Sequence, residues 1–138
     1  MRRPQDRGLS DPGAVDRGRA RRPLGVSSAG VAILAAMPAQ DARKIVAANE
    51  KRFEAYRTDV ATVMGEVTAA RRLGYGKREI GLVQGTKSIS TWIKTADGQP
   101  AAAMTVSAVR TRLGPRREQE VAEILLREAR IIEQAIGG

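Results

Sequence analysis

The sequence predicts an α+β domain, an antiparallel sheet packed with helices. Three observations carry that reading. Val60, Val63, Met64 and Val67 recur at helical spacing, and so do the apolar residues between Val121 and Ala135. Two apolar runs, Ser88–Thr95 and Pro100–Val109, flank an Asp-Gly turn. The elements follow the order helix, helix, helix, hairpin, long helix.

At 138 residues the chain fits one domain. Apolar residues make up 42% of it, enough for a core, but one Trp, two Tyr and one Phe mean that aliphatic residues must fill it. With no Cys there are no disulfides or thiolate metal sites. With no His the commonest general base and metal ligand are missing too. The net charge of +9 points to an anionic partner: nucleic acid, an acidic surface or a small carboxylate. No run approaches the roughly 20 apolar residues of a membrane span, so a cytoplasmic protein without a membrane role is expected.

Residues 1–20 are rich in Arg, Gly, Pro and Asp and poor in large apolar side chains, so a disordered basic tail is expected there. Ser27 or Ser28 is placed to cap a short buried helix through Met37, which Pro38 interrupts. A second helix runs to about Ala48, with Asp41 in its first turn. A third spans 59–72. Arg71 and Arg72 occupy its last turn, and Gly74 follows as its C-terminal cap. Ala96-Asp97-Gly98-Gln99 turns the chain between the two strands. Both strands are apolar on both faces over part of their length, which predicts helices over one side of the sheet. Pro115 opens the last helix, with Glu118 nearby. Its expected buried stripe is Val121, Ile124, Leu125, Ala129, Ile132 and Ala135.

Three segments carry a family resemblance: RRPLGVSSAGVAILAAMP at 21–38, RRLGYG at 71–76, and GTKSISTWIKTADGQPAAAMTVSA at 85–108. They resemble the Pro-Leu strand end, small-residue turn and helix, the Arg-x-x-Gly-Tyr, and the paired late strands of IclR-type effector-binding domains. The resemblance covers about Arg22 to Ile136. It implies a GAF-like fold with a small-molecule pocket, from which bound metabolite acts on a separate N-terminal winged helix-turn-helix that contacts DNA. It also implies homo-oligomers. Two departures are expected. The chain has no room for that DNA-binding domain, and the effector domain, residues 21–138, is incomplete at its N-terminus, leaving a sheet edge exposed.

Carried over residue by residue, the resemblance places the effector-binding positions at Ser28 and Ala29 in the turn, Ser88 on the first late strand, and Thr105 and Ser107 on the second. A helix start offers free backbone N–H groups to a carboxylate. Thr105 and Ser107 are two apart and share a sheet face. Some members have an acidic residue near 78 or 79; here the run is Lys77-Arg78-Glu79, and Arg78 in the pocket would favour a more anionic ligand. Plain structural roles stand beside these: strand residues for Thr105 and Ser107, packing for Ser88, a cap for Ser27 or Ser28, core or interface for Trp92, and a solvated charge for Glu79.

No catalytic pair with His, carboxylate cluster or phosphate loop is present, so neither an enzyme nor a cofactor is expected. The expected partner is a small organic effector, a carboxylate or aromatic acid. Two other readings are a structural or interaction fragment that pairs with a full-length regulator, and a small hydrolase with a Ser nucleophile.

Overall fold

The computed structural model describes residues 22–78 and 85–137. The tail expected over 1–20 and the charge expected of Glu79 lie outside the described residues. Helix α1 is Ser28–Ala36, and Ser27 caps it, its Oγ accepting from the Gly30 N–H at 3.1 Å. The cap is therefore Ser27, which releases Ser28 for other contacts. The helix is apolar all round, so it must be enclosed. Val31, Ala32 and Leu34 have no exposed surface.

Pro38 separates α1 from α2, Ala39–Ala48, which turns Ala42 and Val46 inward. A single-turn helix α3, Glu50–Phe53, and a 3₁₀ turn, Glu54–Tyr56, follow. Both are too short for hydrophobic periodicity to reveal, and Phe53 anchors them in the core. Helix α4, Val60–Leu73, starts at Asp59, whose carboxylate accepts from the Thr62 N–H at 2.7 Å. It ends at Gly74, in the left-handed region at φ 92. Val63, Val67 and Ala70 face the core, with Val60 and Met64 packed at its rim.

Three strands form one antiparallel sheet in the order β1-β2-β3: Gly76–Arg78, Thr86–Lys94 and Pro100–Val109. The expected hairpin is present, with β2 beginning two residues earlier than Ser88, at Thr86. Its turn is closed by the Gly98 N–H on the Thr95 carbonyl, at 2.9 Å, and by the Thr95 N–H on Gln99, also at 2.9 Å. Gly98 takes a φ of +83 there. A register shift at Ile93/Lys94 separates the turn from the regular ladder. The short β1 has no hydrophobic alternation to announce it in the sequence. Among the described residues β3 is an edge strand, paired only with β2.

Helices cover both faces of the sheet, not one as the strand composition suggested. Lys87 and Ser88 are neighbours and point opposite ways. Ser88 meets Ser28 of α1, whereas Lys87 meets Glu118 at the start of α5, Pro115–Gly137. This is why β2 is buried on both sides.

The stripe of α5 also differs from the expected one. Glu118, Ala122, Leu125 and Ala129 face the sheet, while Ile124 stays 48% exposed and Ala135 is exposed. A charged residue joins the buried face because the sheet supplies partners for it, and that rotates the stripe away from Ile124. No described helix is long and apolar enough to cross a membrane.

Candidate functional site

The loop before α1 is pressed against α1, and the start of α1 against β1. A Cβ added to Gly30 would lie 2.7 Å from the Gly25 backbone nitrogen, and one on Gly76 would lie 3.0 Å from the Ser28 carbonyl oxygen. Glycine at both positions allows the loop, the helix start and β1 to approach this closely. This approach brings the Ser28 side chain onto the sheet face that carries Ser88, Ser90, Thr105 and Ser107.

Ser88 stands opposite Ser107 in the ladder, and Ser90 opposite Thr105. The hydroxyls join into a chain. Ser28 Oγ lies 2.8 Å from Ser88 Oγ and 2.8 Å from Ser90 Oγ, and Ser90 Oγ lies 2.7 Å from Thr105 Oγ1. Ser28 and Ser90 are buried at its centre, at 2% and 0% exposure. Of its ends, Ser88 is half-buried and Thr105 exposed. Ser107 is exposed and outside the chain of hydrogen bonds, and Ala29 is half-buried in the first turn of α1.

The structure therefore brings Ser28, Ser88 and Thr105 together, with Ala29 and Ser107 alongside. It adds Ser90, which the sequence reading missed. The signal was available, because Ser90 is two residues from Ser88 and so shares its face.

Each hydroxyl has one proton and two lone pairs. Three bonds use three protons, so the chain keeps one free O–H and several free lone pairs. Further donors come from α1. Its first turn bonds Val31 N–H to the Ser27 carbonyl at 3.0 Å, which leaves the Ser28 and Ala29 amides without an acceptor inside the helix.

Arg78 faces this side of the sheet, opposite Ser88. Its guanidinium is engaged by the protein, with Nη2 2.6 Å from Glu66 Oε1 and also donating to the Gly25 carbonyl. It ties the loop before α1 to α4. Burial pushes the Glu66 carboxyl up, against the pull of the Arg78 charge.

The opposite face carries a second polar cluster. Glu118 Oε1 is 2.7 Å from Lys87 Nζ; its Oε2 accepts from Tyr75 Oη at 2.6 Å and lies 3.4 Å from Lys77 Nζ. Burial, and then the Glu118 hydrogen bond and charge, push the Tyr75 phenol up to about 12. Burial alone would raise Glu118, but the hydrogen bonds of Lys87 and Tyr75 and the two lysine charges outweigh it and hold the carboxyl below its usual value. A cleft of about 400 Å³ opens here, lined by these four residues and Arg110 among others. Among the described residues no group of acidic side chains is arranged to hold a metal ion.

The family described as bacterial transcriptional regulator IclR C-terminal matches residues 15–134. The chain belongs to the IclR C-terminal family. Solved members show the same fold at low identity. Thermotoga maritima IclR superposes with a TM-score of 0.74 at 20% identity, over 83% of this chain and 47% of that one. The repressor BlcR of Agrobacterium tumefaciens gives 0.73 at 17% identity, over 88% and 53%. The C-terminal domain of the Escherichia coli regulator KdgR gives 0.72 at 22% identity, over 83% and 71%. The chain thus spans about half of the Thermotoga and Agrobacterium chains. No curated protein matches the sequence. The IclR family is one of transcriptional regulators, not an enzyme family.

Proposed function

We propose that this IclR-type domain senses a small organic acid for a transcriptional regulator, holding it at the start of α1. The supporting observation is the hydroxyl chain Ser88–Ser28–Ser90–Thr105 beside the Ser28 and Ala29 amides, which have no acceptor inside the helix. A carboxylate needs donors, and this corner supplies two N–H groups, the positive end of a helix and one free O–H. The protonated hydroxyls and remaining lone pairs suit a ligand that also carries a hydroxyl or keto group. In this reading Ser28, Ala29, Ser88, Thr105 and Ser107 bind the effector, and Ser90 supports Ser28 and Thr105 from below.

Occupation of that corner would act through assembly. Ligand shifts a population only by binding one arrangement more tightly than another. The domain is proposed to work as a cytoplasmic homo-oligomer, with DNA contacted through a winged helix-turn-helix of the regulator.

Titration calorimetry with a panel of small hydroxy and keto acids tests the site. Thr105→Val combined with Ser107→Ala should weaken the best ligand about ten-fold, the expected loss for one or two hydrogen bonds. An unchanged affinity would remove the late strands from the site.

A further inference from the structure

We propose that the solvent face of α5 is a self-association surface, on which the same helix of a second copy packs antiparallel about a twofold axis between Arg127 and Glu128. This rests on the homo-oligomer reading and names its surface. The side of α5 turned to the sheet carries Glu118, Ala122, Leu125 and Ala129. Away from it runs a second stripe, Ile124, Arg127, Glu128 and Ile131, spaced i, i+3, i+4 and i+7. Ile124 and Ile131 are 48% and 53% exposed.

Single exposed apolar residues need no explanation. The order of these four does. An antiparallel copy centred between 127 and 128 sets Ile124 against Ile131 twice and Arg127 against Glu128 twice. The stripe is therefore complementary to itself, which an isologous contact requires. A parallel copy would oppose Arg127 to Arg127 and Glu128 to Glu128. A shift by one turn would set Ile against charge.

The charges point the same way. Elsewhere on α5, Arg117 pairs with Glu120 at 3.0 Å and Arg130 with Glu133 at 2.9 Å. Among the described residues Arg127 and Glu128 form no such pair and remain available across the seam. A helix of 23 residues is roughly 34 Å long, so the two copies meet along several turns at the shallow crossing usual for such pairs. The surface is modest, and a dimer that forms and dissociates readily is expected.

Sedimentation of the full chain over a range of concentrations tests this. The wild-type chain should dimerise. Arg127→Glu alone, or Glu128→Arg alone, places like charges at the axis and should weaken the dimer at least about ten-fold. The double exchange restores complementarity and should return the constant to within about three-fold of wild type. A wild-type monomer at every concentration would overturn both self-association and this surface. A dimer indifferent to the single exchanges, or not restored by the double one, would leave self-association standing and overturn the surface.

The chain has no Cys, so register can be read independently. Under mild oxidation, Ile124→Cys mixed with Ile131→Cys should form a linked pair, and neither should link to itself. Homodimeric links in either variant alone, or none in the mixture, would overturn the antiparallel register.

Discussion

Ser28 holds the start of α1 to the sheet through two hydroxyl contacts, while its backbone amide has no acceptor inside the helix. In the proposed reading one residue joins fold to site. Two other residues, on the far side of the sheet, contribute to the pH dependence of stability. The Tyr75 phenol is raised to about 12, so its contribution to stability is complete below the ordinary value near 10 and is lost as pH rises through about 12. The Glu118 carboxyl is lowered, so its contribution is present above the ordinary carboxylate range and is lost as pH falls through the folded value. In a Tyr56→Phe protein, where Tyr75 is the remaining tyrosine, ultraviolet absorbance should show phenolate forming near about 12. Ionisation near 10 would mean that Tyr75 is not buried against Glu118. Glu118→Gln should blunt the acid-side loss of stability in thermal melts. Of these residues, sequence showed Ser28 as part of a helix start. It could not show that Glu118 would turn inward, because a glutamate in a first helical turn is equally at home in solvent.

At the scale of elements, glycine placement separates contact from mere flexibility. Gly30 lies where a Cβ would reach 2.7 Å from the Gly25 backbone nitrogen, and backbone cannot move aside as a side-chain tip can. Gly30→Ala should therefore cost about 1–3 kcal/mol in urea denaturation. Gly65, on the exposed side of α4, has open space where a Cβ would stand, with nothing within 4 Å, so Gly65→Ala should stabilise by about 0.5–1 kcal/mol. A loss at Gly65, or no effect at Gly30, would contradict this packing. The elements themselves were readable where their signals are local. Asp59 and Gly74 bracket α4, and Asp97-Gly98 turns the hairpin. The short β1 and α3 escaped because they are too brief to display a period.

At the scale of the molecule, β2 lies between two helical layers, and its alternate residues serve different ends. Ser88 and Ser90 line the proposed effector side; Lys87 and Ile89 pack under α5. Net charge acts at this scale too. With +9 on 138 residues, the polypeptide should bind duplex DNA weakly and without sequence preference, and titrations at rising salt should show the affinity falling steeply. A specific footprint at ordinary salt would contradict that expectation.

Sequence by itself determined the α+β class, the Gly74 cap of α4, the hairpin and its turn, and the family. These rest on interactions between residues a few positions apart, or on a turn that aligns adjacent strands. Only the tertiary structure decided that Ser28 meets Ser90, 62 positions away, that Arg78 pairs with Glu66, and that α5 buries Glu118 and leaves Ile124 outside. Those outcomes depend on how layers stack over both faces of the sheet, and a side chain's partner across layers has no fixed spacing along the chain.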